Sequence, residues 1–386
     1  MRVYLDNAAT TPIHPKVLEK MLPFLKEDFG NASSIHSFGR KGRVVIEEAR
    51  EIIAGFLNAD SGEIYFTSGG TEANNFTVRG IAKAEFKESG RKRIISSRQE
   101  HRCVKDSVKE LKFEGYDTDY INTLPDGKTD IINSAPLITN DTSLITIIHT
   151  SNETGAVNDI KYIAGLLNNK DIYLHTDAVQ SFGKTVIDVK ELGISALTGS
   201  AHKINGPKGT GFAFIKSGTP VSPLIFGGAQ ERNRRGGTEN VAGIAGLAEA
   251  VLLAKTSMNE NWERVNALKS AMINGFQSID KAGIQINSNP DSSPYILSVT
   301  FDSRFYKNDA EAMLMYLDIN GVAVSNGAAC SSGTYKPSHV ILSMGKPIED
   351  VNGTIRISFS ADNNMDEINF ALEVFKKMSL KFRRQA

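Results

Sequence analysis

The sequence predicts an α/β protein: a large domain with a mostly parallel sheet, followed by a smaller α+β unit. Three observations carry this reading. Beyond Leu57, short apolar runs alternate with helical stretches. Most of those runs are continuously apolar, as in strands of a parallel sheet covered on both faces. Past Lys255 the style changes, and two strand-like runs are set among long helical patterns. The 386 residues leave room for two or three domains at about 150 residues each.

The elements come in this order. Residues 15–29 place Val17, Leu18, Met21, Leu22 and Leu25 on one face of a helix, and 42–57 do the same with Val45, Ala49, Ile52, Ile53 and Phe56. Strands are expected at 63–67, 93–97, 144–150, 171–176, 194–200 and 211–216. Further on, 295–301 and 354–360 read as strands, and 258–280, 308–320 and 365–383 as helices. Ligands of such open sheets bind beyond the carboxyl ends of the strands. Here those ends run into "SGGTEANN", "RQEHRCV", "SNETG", "DAVQS" and "AHKINGPKG", so five polar loops converge on one rim.

Composition narrows the function. Lys+Arg and Asp+Glu both number 44, which argues against a broad nucleic-acid or membrane surface. The basic "KKMSLKFRRQA" reads as a helix end favoured by the helix dipole. No apolar run reaches membrane-span length, and "MRVYLDNAATTPIHP" lacks a signal-peptide apolar stretch, so a cytoplasmic location is expected. The two cysteines, Cys103 and Cys330, read as free or reactive thiols rather than a structural bridge.

The rim residues point to phosphate and amine chemistry. In "TSGGTEANN" a strand passes through Gly69, Gly70 and Thr71 into a helix, a junction that offers free N–H groups and a hydroxyl to an anion. "GKT" at 183–185 is not a P-loop, because position 178 is Ala, and "GPKGTG" has the wrong glycine order for a dinucleotide site. Asp177 can keep a ring nitrogen protonated, and Gln180 can reach the same ligand. Lys203, crowded among small residues, has its charged form disfavoured and suits a Schiff base. Cys330 lies among Asn, Gly, Ala and Ser, which suits a mobile thiol, whereas Cys103 reads as packed. His101 can stack on a ring or move protons, and Arg356 can clamp a carboxylate or form a buried ion pair.

Together "YLDNAATTP", "FGNASSIHSFG", "SGGTEANN", "QEHRCV", "HTDAVQSFGK", "SAHKINGPKGTG", "GGAQERNRRGGTEN", "SNGAACSSG", "KPSHV" and "IRISFS" resemble the class V aminotransferase-like enzymes, specifically cysteine desulfurases of the NifS/IscS type. The likeness covers nearly the whole chain. It implies the aspartate aminotransferase-like fold of pyridoxal 5′-phosphate (PLP) enzymes, with a large domain at 14–255 and a small one from 1–13 and 256–386. It implies that Lys203 binds PLP, His101 stacks on the ring, Asp177 pairs with the ring nitrogen and Gln180 contacts the phenolic oxygen. Gly70, Thr71, Ser200 and His202 would hold the phosphate, with Thr238 reaching the neighbouring subunit's phosphate in a homodimer. Asn31, Asn152 and Arg356 would hold the substrate, L-cysteine. Cys330 would carry the sulfur as a persulfide to an acceptor, an iron–sulfur scaffold or a tRNA-thiolating enzyme. The long stretch from Cys330 to Arg356 is that of the branch whose cysteine rides a flexible loop. Ser151, Ala329 and Ser331 depart from the usual pattern. No metal is implied. A selenocysteine lyase or aminotransferase on the same fold, or a non-enzymatic sulfur carrier, are the alternatives.

Overall fold

The computed structural model describes residues 1–168, 170–327 and 336–385. Twelve strands are present among the described residues: β1 (Val3–Tyr4), β2 (Ile64–Thr67), β3 (Arg93–Ser97), β4 (Asp117–Ile121), β5 (Thr142–Thr146), β6 (Tyr173–Asp177), β7 (Ala196–Ser200), β8 (Gly211–Ile215), β9 (Ile284–Ile286), β10 (Ile296–Phe301), β11 (Val322–Ala323) and β12 (Thr354–Ser358). Seven of them form one sheet in the order β2-β8-β7-β6-β5-β3-β4. Only β8 runs against its neighbours, so the sheet is mostly parallel, as expected.

Both faces of this sheet are covered, which is why its strands are apolar throughout. On one side, Ile53 and Leu57 of the Ser37–Leu57 helix and Leu247 and Val251 of the Val241–Asp280 helix pack on Phe66, Leu197 and Phe212. On the other, Phe76 and Ile81 of the Gly70–Ser89 helix and Val104, Val108 and Leu111 of the Arg102–Phe113 helix pack on Ile94 and Leu144. A separate core forms around the antiparallel sheet β12-β10-β9 and the parallel pair β1-β11. Val3, Leu5 and Ala8 belong to that second core, together with Val265, Phe276, Phe301 and Phe375.

Several expectations shift. The predicted helix at 258–280 is the second half of one 40-residue helix, Val241–Asp280. Its first half fills the large core and its second half the small one, so the change of style at Lys255 falls inside a helix rather than in a linker. The run "VAGIAGLAEAV" hides this helix from a periodicity reading, because Glu249 is its one polar residue and no polar stripe repeats. This helix is long and apolar enough to cross a membrane by length and composition, yet Ile244 to Val251 lie in the protein core. The helix expected at 42–57 begins at Ser37, where the His36 ring accepts the Gly39 N–H. β4 escaped notice because Asp117 and Asp119 interrupt its apolar pattern; it is an edge strand, where charge blocks unwanted pairing.

Candidate active site

Parallel strands deliver their carboxyl ends to one edge, and the five polar loops meet there, beside the small core. The loops enclose a cavity of about 800 Å³ that also receives Asp6, Ala8, Ala9 and Thr10 and, from the second core, Ser325 to Gly327 and Arg356. Of the expected residues, Gly70, Thr71, His101, Asn152 and Asp177 line it. So do Gln180, Ser200, His202, Lys203 and Arg356.

Lys203 closes a short helical turn after β7, and its Nζ donates to the carbonyls of Ala8 and Ala9 at 2.5 and 2.6 Å. Both acceptors are neutral, so neither holds a proton on the amine as a carboxylate would. Burial, reinforced by Lys184 and Arg356, lowers the amine to about 7, with Asp6 and Asp177 pulling the other way. A residue at this value is neutral in a large fraction of molecules near pH 7, which equips it to form a covalent imine and to take up a proton.

Asp177 is the last residue of β6, one position inside the strand rather than beyond it. Its carboxylate is fixed on both sides. Oδ1 accepts the Val179 N–H at 2.9 Å, and Oδ2 accepts Asn74 Nδ2 at 2.7 Å. Asn74 is held in turn, because its Oδ1 accepts the Thr198 hydroxyl at 2.7 Å. Asn74 was not singled out from the sequence. The available signal was a fully polar residue at a buried position of an otherwise packed helix face, three residues after Thr71.

The turn Ser68–Gly69–Gly70 opens the Gly70–Ser89 helix. Gly69 has φ +147°, a conformation open to glycine alone, and Ala73 is the first residue whose N–H bonds back along the helix. The N–H groups of Gly70, Thr71 and Glu72 are therefore presented at the helix start, near the Ser200 hydroxyl, which is buried with no partner among the described residues. His202 Nδ1 contacts Thr10 Oγ1 at 3.2 Å, and burial with Lys203, Lys208 and Lys184 nearby lowers its ring to about 4.

His101 caps the Arg102–Phe113 helix, its Nδ1 accepting the Cys103 N–H at 3.3 Å. Burial lowers its pKa, so the ring is neutral. Cys103 Sγ lies 3.0 Å from His101 Nδ1 and accepts from Asn74 at 3.3 Å. Burial pushes this thiol up to about 12, so Cys103 is a packed, protonated side chain and a poor nucleophile. His101, Cys103 and Asp177 bring ligand atoms within 4.8 Å of one another, but each is already committed to a neighbour.

Arg356 of β12 is buried. It donates to Asp6 Oδ1 at 2.7 Å, to Ser325 Oγ at 3.2 Å and to the Asn152 carbonyl at 2.9 Å, while its Nε has no partner. The buried ion pair and the cavity position thus coexist, and Asp6 is a second residue the sequence reading did not single out. Asn31 and Thr238 do not line this cavity: both lie on exposed stretches, and Asn31 Oδ1 accepts the Ser33 N–H. Cys330 lies outside the described residues. The stretch that carries it is flanked by Gly327 and Ser338, and both of these meet the fully buried Glu153: a Cβ on Gly327 would sit 3.0 Å from Glu153 Oε2, and the Ser338 hydroxyl donates to that oxygen.

Comparison with known proteins gives a consistent result. A family model described as aminotransferase class-V matches residues 3–370. The chain is 42% identical to a cysteine desulfurase IscS of Dictyoglomus turgidum, over 99% of this chain and 95% of that protein. It is 40% identical to a cysteine desulfurase IscS of Clostridium botulinum, over 100% and 96%. Among solved structures, a NifS-like protein superposes with a TM-score of 0.90 at 32% identity, covering 98% of this chain and 99% of the other.

Proposed function

The chain belongs to the class-V aminotransferase family, as a PLP-dependent cysteine desulfurase of the NifS/IscS type, and from that premise we propose the roles of its individual residues. The observation that carries the assignment is one cavity holding a near-neutral lysine, Lys203, and a rigidly fixed carboxylate, Asp177. The other donors suit PLP as well. Among the described residues, Ser200 Oγ and Gln180 Oε1 are buried without partners, beside a glycine-containing helix start fit for a phosphate. When bound, PLP supplies a protonated aromatic ring that takes up the electron pair left at the substrate's Cα.

The protein's own groups do the rest. Lys203 binds PLP, and its Nζ takes the proton from the substrate Cα. Asp177, anchored through Asn74 and Thr198, holds a proton on the ring nitrogen. Neutral His101 stacks on the ring face. Gly70, Thr71, Ser200 and His202 orient the phosphate. Arg356 and Asn152 hold the substrate carboxylate, with Asp6 balancing the guanidinium. Cys330 then attacks the substrate sulfur as a thiolate. A sulfur–sulfur bond forms, the carbon–sulfur pair returns to the substrate Cβ, that carbon is protonated, Lys203 Nζ gives a proton back to Cα, and alanine leaves. Cys330 retains the sulfur as a persulfide for an acceptor in iron–sulfur assembly or tRNA thiolation.

The working unit in this reading is a homodimer in the cytoplasm. Asn31 and Thr238 are exposed in one chain, and near them in sequence Phe29, Ile35 and Phe226 are exposed by 72%, 86% and 82%. Apolar side chains so placed suit a second copy of the chain, which would bring Thr238 to its neighbour's phosphate. A cytoplasmic setting accords with the free thiol of Cys103. Sedimentation tests the dimer. The catalytic reading is tested by supplying L-cysteine, quantifying alanine and locating added sulfur by intact-mass and peptide analysis. One sulfur on Cys330 is expected; full alanine output from Cys330→Ser would overturn the persulfide step.

A further inference from the structure

Behind Lys203, away from the main cavity, lies a second cavity of about 320 Å³ lined by Lys203, Lys184, Tyr295 and Asn205 among others. Lys184 is only 8% exposed. Its ammonium lies over the Tyr295 ring, 5.1 Å from the centroid, and among the described residues it makes neither a hydrogen bond nor an ion pair. The contrast with Lys269 is instructive. That lysine is equally buried but donates to Ser292 Oγ at 2.6 Å and to the Ser293 carbonyl at 2.9 Å, as a structural lysine should.

The backbone holds Lys184 close to the reacting lysine. Gly183 has φ +72°, and a Cβ there would meet Ile204 Cγ2 at 2.7 Å. The turn bearing Lys184 is thus pressed against the residue next to Lys203, and only glycine allows the approach. The aromatic face accepts a cation without supplying a counter-charge, so the field of Lys184 reaches its surroundings uncancelled.

We propose that Lys184 is a positioning residue for the reaction: held against Tyr295 in the cavity it shares with Lys203, its positive charge opposes protonation of the Lys203 nitrogen. The inference rests on the assignment of Lys203 as the PLP-binding residue. The other groups that face Lys203 are Arg356, which acts in the same direction as Lys184, and Asp6 and Asp177, which act against it. His101 and His202 face it from the main cavity, both with lowered pKa. His14 and Asp362 line the cavity on the Lys184 side. Lys184 itself is lowered to about 8, by burial and then by Arg356, so it is charged over the lower part of the working range.

The test uses the PLP-loaded protein. Its visible absorbance is titrated with pH in the parent, Lys184→Met, Lys184→Gln and Lys184→Arg, and borohydride trapping with peptide mapping on the same samples locates the cofactor. In the Met and Gln variants the titration midpoint should move to higher pH by about one unit, while Arg keeps it near the parent value. Having two neutral variants keeps the reading available if one folds poorly. Cofactor on Lys203 with an unmoved midpoint overturns this proposal alone. An equal shift in the Arg variant overturns it too, since that would report shape rather than charge. Cofactor trapped elsewhere than Lys203 overturns both this proposal and the assignment beneath it.

Discussion

Replacing Lys203 by Met should change the stability of the cofactor-free protein by an amount that depends on pH in a definite direction. The amine is lowered from 10.5 to about 7 in the fold. Between those values the unfolded chain binds more protons than the native one, so native stability rises with pH across the window. Below about pH 7 the full penalty is present. The gap is worth roughly 4–5 kcal/mol at pH 6 and roughly 2 kcal/mol at pH 9. Met removes this penalty. It also leaves the Ala8 and Ala9 carbonyls without their donor; the buried Ala8 carbonyl costs about 1–3 kcal/mol, while the exposed Ala9 carbonyl can turn to water. That loss is much the same at both pH values, so it cancels from the comparison. Lys203→Met should therefore be more favourable to the fold at pH 6 than at pH 9 by about 3 kcal/mol. Urea unfolding at the two pH values measures it, monitored by circular dichroism and by the fluorescence of Trp262, the one tryptophan. A change that is constant with pH, or that grows more favourable toward pH 9, would refute the claim that the fold holds this amine neutral.

Four further outcomes are expected. Cys330→Ser should keep the visible absorbance of bound PLP while alanine formation from L-cysteine falls roughly a hundredfold or more, read by amino-acid analysis. Cys103→Ser should leave both cofactor content and turnover near the parent's, because the packed thiol stays protonated; a dead variant would mean the wrong thiol was chosen. Asn74→Ala removes a hydrogen bond to a charged carboxylate, worth about 1.5–3 kcal/mol, so PLP affinity measured by fluorescence titration should fall roughly tenfold or more. Glu153 is raised from 4.5 to about 7 by burial, so the fold loses stability as pH climbs through that interval and stays penalised above it; Glu153→Gln should recover up to about 3 kcal/mol at pH 8 and almost nothing at pH 4 in urea unfolding.

The large sheet and its rim were legible because parallel strands are apolar on both faces and because their loops begin abruptly with polar residues. Thus β2, β3, β6 and β7 were read within two residues, and Asp177 and Lys203 stood out as polar residues at or just past the strand ends. Elements that break the apolar rule were lost. β4 carries alternating acids, β1 and β11 have two residues each, and the first half of the long helix has no polar face. The site residues that escaped share a different property. Asn74 and Asp6 act through partners far away in sequence, 103 residues to Asp177 and 350 to Arg356, and local pattern carries no trace of such pairings. Lys184 lay in plain view in "SFGK", but its isolation over Tyr295 is a tertiary fact.

The distribution of buried charge separates structure from function in this protein. Away from the cavity, buried arginines and glutamates are compensated by each other. Arg50 pairs with Glu231 through two nitrogens at 2.9 and 3.0 Å, and Glu85 takes Arg91. On the loops at the carboxyl edge of the sheet, among the described residues, the rule is broken four times. Lys184 has no counter-charge, Lys203 has only neutral acceptors, Glu100 keeps one oxygen unpartnered and is raised to about 8, and Glu153 is raised to about 7. An arrangement selected for stability alone would pair such groups or replace them, since an uncompensated buried charge is among the most destabilising features a core can hold. Their concentration within one rim, on loops that otherwise share only the edge of a sheet, is what chemistry near neutral pH requires: groups whose protons are free to move. By the same logic, neutralising any one of the four should stabilise the fold in the pH range where that group is penalised, and neutralising Arg50 should destabilise it.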